Sequence, residues 1–212
     1  MCCRYYMEES PELRPFVDAV RGVALTERMT AELGKPLITA GEIRPTNIAA
    51  VIATGTSGKK AAFPMVWGFT GRTSCVFNAR IESADRKPMW RESWEKRRCI
   101  VPASWYFEWE HLTGPGGRKK TGDKYAIRPR GTPLTLMAGL YRFEEGFPHF
   151  CILTKDSSEG IRFIHDRMPV ILDAESAREW IRPSAAPDAI RRIAGEALDE
   201  MVFEPQRSAP LL

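Results

Sequence analysis

Cys2 stands directly behind the first methionine. Once Met1 is removed, it carries a thiol and a free α-amine on neighbouring carbons. Such a 1,2-aminothiol condenses with an aldehyde through an imine, and the thiol then closes a five-membered thiazolidine ring that resists hydrolysis. An unperturbed α-amine titrates at about 7.7–8.0 and a thiol at about 8.5, so modest help from neighbours makes both nucleophilic. Position alone leaves open that Cys2 is an ordinary terminal residue.

Three further residue types suit proton transfer or positioning. Glu108 lies in the run Trp105–Glu110, where strand alternation places Trp105, Phe107 and Trp109 on one face and Tyr106, Glu108 and Glu110 on the other. Beside an apolar cleft its carboxyl would hold its proton to higher pH and could exchange it with the Cys2 thiol or amine. A solvent-facing glutamate fits the same periodicity. Asn78, at a strand end, could hold an amine or a sugar hydroxyl, and Arg80 behind it could clamp a phosphate. A turn-forming asparagine and a surface arginine are the plain alternatives. His165 sits in the polar interruption of FIHDRMPVIL, where an imidazole could give and take protons or serve structure only. For nucleic acid the candidates are Arg4, Arg80, Trp67 and the Arg118-Lys119-Lys120 loop, since phosphates need cations and unstacked bases need aromatic faces.

Several chemistries are excluded. The chain has no G-x-S-x-G, H-E-x-x-H, phosphate-binding loop or dinucleotide fingerprint. Three histidines and no CxxC pair among five cysteines argue against a metal centre or a disulfide scaffold. Cys75, Cys99 and Cys151 lie in apolar runs and are expected to be buried. The net charge of +4 barely favours an anionic partner. No signal peptide or membrane span is present, so a cytoplasmic, nucleoid-associated location without membrane contact is expected.

The elements that must position these residues are short. Ser10-Pro11 reads as a helix start with an apolar face of Leu13, Phe16, Val17 and Val20. Helices are expected near 26–33, 85–97, 174–181 and 188–198. Strands are expected at 48–53, 61–67, 74–78, 99–102, 105–110, 124–128, 134–142, 149–154 and 201–204, with a basic glycine-rich loop, TGPGGRKKTGDK, in the middle. One α+β domain over residues 1–212 follows, built on a curved mixed β-sheet with a barrel-like core and flanking helices.

Three motifs together resemble a known family: the near-terminal MC-x-R, the segment from Asn-Ala-Arg at 78–80 to RRCIVPASWYFEW, and IHDRMPVIL. They are similar to the SOS-response-associated peptidase (SRAP) domain, whose members are also termed abasic-site processing proteins. The resemblance implies binding of single-stranded DNA, as a monomer and without cofactor or metal, and a thiazolidine crosslink between Cys2 and the aldehyde of a ring-opened abasic site. It implies crosslinking and lyase-type activity, with peptidase chemistry, in its minimal form the removal of Met1, as the alternative. By motif position Asn78 would orient the amine or the sugar, Glu108 would be the acid/base, and His165 would assist ring opening. Arg4 and Arg80 would contact the DNA backbone, Trp67 would lie near the nucleotides, and Thr154 would border the site. Two departures stand out: Cys3 replaces a usual glycine, and Glu42 replaces the asparagine of an N-x-x-P motif.

Overall fold

A computed structural model of the chain describes residues 2–206 other than Pro115 and Gly117. In chain order the strands are β1 (Arg4–Met7), β2 (Gly41–Ile43), β3 (Ile48–Thr54), β4 (Lys60–Trp67), β5 (Phe69–Thr70), β6 (Cys75–Val76), β7 (Asn78–Arg80), β8 (Arg98–Ala103), β9 (Trp105–Thr113), β10 (Lys119–Pro129), β11 (Thr135–Glu144), β12 (Phe147–Asp156), β13 (Arg167–Pro169), β14 (Ile171–Leu172) and β15 (Met201–Pro205). The helices are α1 (Arg14–Asp18), α2 (Ala24–Leu33), α3 (Ile81–Ala84), α4 (Pro88–Lys96), α5 (Ala174–Trp180) and α6 (Pro187–Gly195).

Five strands close into a ring. β4, β3, β8 and β11 pair antiparallel in succession, and β12 joins β11 antiparallel to β4 in parallel. Both faces of these strands are covered, which is why their sequences read as continuous apolar runs. On β8, Cys99, Val101 and Ala103 join one core cluster while Ile100 joins another; on β12, Phe150 and Ile152 divide from Cys151 and Leu153 in the same way. The second cluster is the seam with the helices, where Trp90, Trp94, Trp180, Ile190 and Ile193 pack on the ring's outer surface. A second, antiparallel sheet in the order β15-β10-β9-β1-β2 contributes Tyr5, Met7, Ile43, Tyr106 and Ile127 to the first cluster, which also holds Cys2.

An α+β fold with a barrel-like mixed sheet is therefore what the chain adopts. Several boundaries differ from expectation. Residues 11–13 form a turn, with the Ser10 hydroxyl accepting from the Leu13 N–H at 3.3 Å, and the α-helix starts only at Arg14. The stretch 85–97 does not make one helix. Pro88 takes a first-turn position in α4 and holds Lys87 extended, so α3 ends before it. The expected strand at 74–78 is split into β6 and β7. The basic glycine-rich segment is largely a hairpin, because β9 runs on to Thr113 and β10 starts at Lys119. Cys99 and Cys151 are buried as expected, while Cys75 is only half-buried.

Candidate active site around Cys2

β7 lies parallel to β12, with Asn78 opposite Ile152 and Arg80 opposite Thr154. Alternation turns Ala79 into the core and sends Asn78 and Arg80 to the other side. The Asn78 Nδ2 donates to the Cys2 carbonyl at 2.7 Å. Cys2 itself precedes β1 and is fully buried, its Sγ 3.6 Å from the Arg4 carbonyl. Burial pushes the Cys2 thiol well above its ordinary range, and the nearby Glu108 charge adds to this, so sulfur is held as the neutral thiol. The thiazolidine chemistry expected from sequence thus starts from a cysteine that the fold encloses. Met1, whose removal that reading requires, lies outside the described residues.

Glu108 faces inward from β9, only 3% exposed. The solvent-facing alternative is excluded. Burial raises its carboxyl to about 7, outweighing the stabilising hydrogen bond from the Trp109 backbone. Its cross-strand neighbour is Tyr125, and two residues back Tyr106 opposes Tyr5 of β1.

His165 is also buried, in the loop between a 3₁₀ turn (Glu159–Ile161) and β13. Its Nδ1 accepts from the Arg167 backbone N–H at 2.9 Å, and its ring centroid lies 4.1 Å from that of His111. Burial, with His111 and Arg167 nearby, lowers it to about 4, so the ring is neutral at physiological pH. Asp166 Oδ1 also stands 2.8 Å from Nδ1, a contact that would need a proton there. The backbone donor is the fixed partner. The Asp166 side chain is 80% exposed and is free to turn into solvent. The neutral ring therefore carries its proton on Nε2.

Sequence reasoning missed what holds this loop. Arg167 is 6% exposed. Its guanidinium grips Glu82 of α3 through Oε1 at 2.7 Å and Oε2 at 3.0 Å, donates to the Thr154 carbonyl at 2.7 Å and pairs with Asp156. The arginine ties the His165 loop to β12 and to the helix that follows Arg80. A basic residue between two apolar runs was the only signal available.

The expected DNA contacts divide. Arg80 is exposed and makes no ion pair among the described residues. Arg4 donates to Glu42 at 2.8 Å, and Lys124 and Arg44 reach the same carboxylate at 2.7 and 2.8 Å. Trp67 is not a stacking platform: it is fully buried, parallel to Phe150 at 6.0 Å and tilted against Tyr5 at 5.1 Å, with its indole N–H on the Phe77 carbonyl. Thr154 lies inside as well. It is fully buried, and its hydroxyl donates to the Ala79 carbonyl at 3.4 Å. Trp105, Phe107 and Trp109 do share a face. Trp105 stacks on Tyr6 at 4.8 Å, Lys124 sits 3.7 Å over Phe107, and Arg4 lies 5.2 Å over the half-exposed Trp109. A cation-capped aromatic stripe thus runs along the outer sheet face next to the site.

Among the described residues no group of three or more His, Cys, Asp or Glu side chains converges to hold a metal ion, and no helix is long and apolar enough to cross a membrane. A surface cavity of ≈ 620 Å³ between Glu8, Arg14 and Thr39 contains none of the candidate residues.

Comparison with known proteins identifies relatives in sequence and in fold. The abasic site processing protein YoaM of Bacillus subtilis is 34% identical over 124 residues, covering 56% of this chain and 52% of its own. YedK of Escherichia coli, with the same descriptive name, is 35% identical over 129 residues, covering 56% and 54%. The chain spans about half the length of these curated relatives. The crystal structure of a phage-related protein of Bordetella bronchiseptica superposes with a TM-score of 0.72 at 25% identity, over 98% of this chain and 95% of that one. The family model for SOS response associated peptidase (SRAP) matches residues 1–206, and the chain belongs to that family.

Proposed function

We propose that the mature chain, one domain over residues 1–212, captures abasic sites in single-stranded DNA as a thiazolidine on Cys2 in the DNA damage response. The observation that carries this reading is the Asn78 amide on the Cys2 carbonyl, which pins the aminothiol residue in a site that also holds a buried, raised carboxyl and a neutral imidazole. The descriptive name shared by the relatives supports the substrate class.

The chemistry follows from the two protonation states. At about 7, Glu108 is present in both forms near neutrality. As carboxylate it takes the proton that leaves the attacking amine, and as acid it protonates the hydroxyl that departs as water. Neutral His165 offers an Nε2–H toward the sugar ring oxygen as the deoxyribose opens. Arg80, exposed and without an ion pair among the described residues, supplies a cation for a phosphate, and Trp109 offers the aromatic face that buried Trp67 does not. The covalent bond gives durability, so non-covalent affinity can stay modest and salt-sensitive.

The test mixes protein of verified N-terminus with an oligonucleotide carrying one abasic site and resolves the products on a denaturing gel. A shifted band that disappears in Cys2→Ala is expected; an undiminished band in that variant would contradict the reading. Peptide hydrolysis in trans is the second reading, and it draws on the same thiol. The thiol's burial and raised proton affinity weigh against it, whereas peptide turnover without any DNA adduct would favour it.

A further inference from the structure

Tyr5 and Tyr106 oppose each other across β1 and β9, in the core cluster that holds Cys2. Both are fully buried, and neither hydroxyl has a hydrogen-bond partner among the described residues. The Oδ1 of Asn78, the residue gripping Cys2, is unpartnered and buried as well. A buried hydroxyl without a partner destabilises the fold, and phenylalanine would fill the same space without that penalty. Two such hydroxyls on cross-strand partners, with a third orphan atom on the residue that holds Cys2, point to an oxygen-bearing ligand.

We propose that the Tyr5 and Tyr106 hydroxyls are a donor pair for the oxygen on the carbonyl carbon that Cys2 attacks. The inference rests on the aldehyde-capture reading and adds to it two positions that touch the reacting atoms. The α-amine lone pair forms the C–N bond while the carbonyl π electrons move onto oxygen, and the two O–H groups stabilise that charge. Glu108 relays the two nitrogen protons to that oxygen in turn, first giving the carbinolamine hydroxyl and then the water that leaves. The imine forms, and Glu108 ends in the state in which it began. The thiol then adds across C=N, sulfur to carbon and its proton to nitrogen, so one water is released overall. Burial, together with the neighbouring Cys2 and, for Tyr106, Glu108, keeps both phenols protonated well above neutrality, so they act as donors throughout.

The experiment compares wild type with Tyr5→Phe, Tyr106→Phe and the double variant in three measurements. These are the rate of crosslinking to abasic DNA, the affinity for the same strand carrying tetrahydrofuran (which has no carbonyl) and the thermal midpoint. Each single variant should crosslink about 10-fold or more slowly, and the double about 100-fold or more, with tetrahydrofuran affinity unchanged and a midpoint equal to or above wild type. An unchanged rate in the double variant overturns the donor pair and leaves the hydroxyls merely hydrated. A slower rate matched by weaker tetrahydrofuran binding or a lower midpoint overturns it as well, because packing then explains the loss. Wild type that forms no adduct defeats aldehyde capture itself and the donor pair with it.

Discussion

Glu108 and His165 are both buried at the site and pull stability in opposite directions as pH changes. Glu108 holds its proton in the fold up to about 7, against 4.5 when free, so its contribution is complete below pH 4.5 and is lost as pH rises toward 7. His165 resists protonation down to about 4 against 6.5, so its contribution is present above pH 6.5 and is lost as pH falls toward 4. Each displacement corresponds to about 3 kcal/mol, and the slopes nearly cancel. Glu108→Gln removes one of them. By urea unfolding, the variant should gain about 3 kcal/mol over wild type at pH 8 and lose stability on acidification from pH 6.5, where wild type stays level; parallel curves would contradict the burial argument. A second residue-scale prediction concerns Glu42, which occupies Arg4, Arg44 and Lys124 together. Glu42→Gln should free these cations, tighten non-covalent binding of single-stranded DNA several-fold and steepen its salt dependence, as read by fluorescence anisotropy. Glu108 was legible because a period of two separates it from the aromatic face. Trp67 was placed near nucleotides by the family resemblance; its own neighbours Met65, Val66 and Gly68 suit a core strand, and the core is where it lies.

At the scale of elements, two arginines do what secondary structure alone cannot. Arg167 fastens the His165 loop, and buried Arg98 of β8 fastens two helices. Arg98 donates to the carbonyls of Trp94 and Glu95 at the end of α4, and to those of Trp180 and Arg182 at the end of α5. The last turn of a helix has no internal partner for its carbonyls, so this one side chain closes two helix ends onto the ring. Arg98→Met should cost about 3 kcal/mol and lower the thermal midpoint; a cost near zero would show that water replaces the arginine. Gly68 is equally constrained. It adopts φ +116°, a region that suits glycine, and any Cβ there would run into the Cys75 sulfur. Most strands and helices could be read from apolar periodicity and from markers such as Asp173, which caps α5 through its carboxylate. The break at 85–87 was marked by Pro88, but the one between β6 and β7 was not, because it is set by the pairing of β7 with β12.

For the whole molecule, a barrel-like sheet was expected, but the registers that close it were beyond the sequence. The parallel registers of β12 with β4 and with β7 join segments far apart in the chain, and no local period encodes such pairings. Those same registers bring Asn78 to Cys2 and the β12 end to Arg167, so the site exists only once the ring has closed. The central claim is that this closure holds a leading aminothiol ready for a lesion's carbonyl. Tandem mass spectrometry of the DNA adduct tests it most directly. The account predicts Met1 absent, one adduct per chain at the mass of the sum less one water, and fragments placing the bond on both nitrogen and sulfur of Cys2. Attachment at Cys3, at a lysine or nowhere would contradict it.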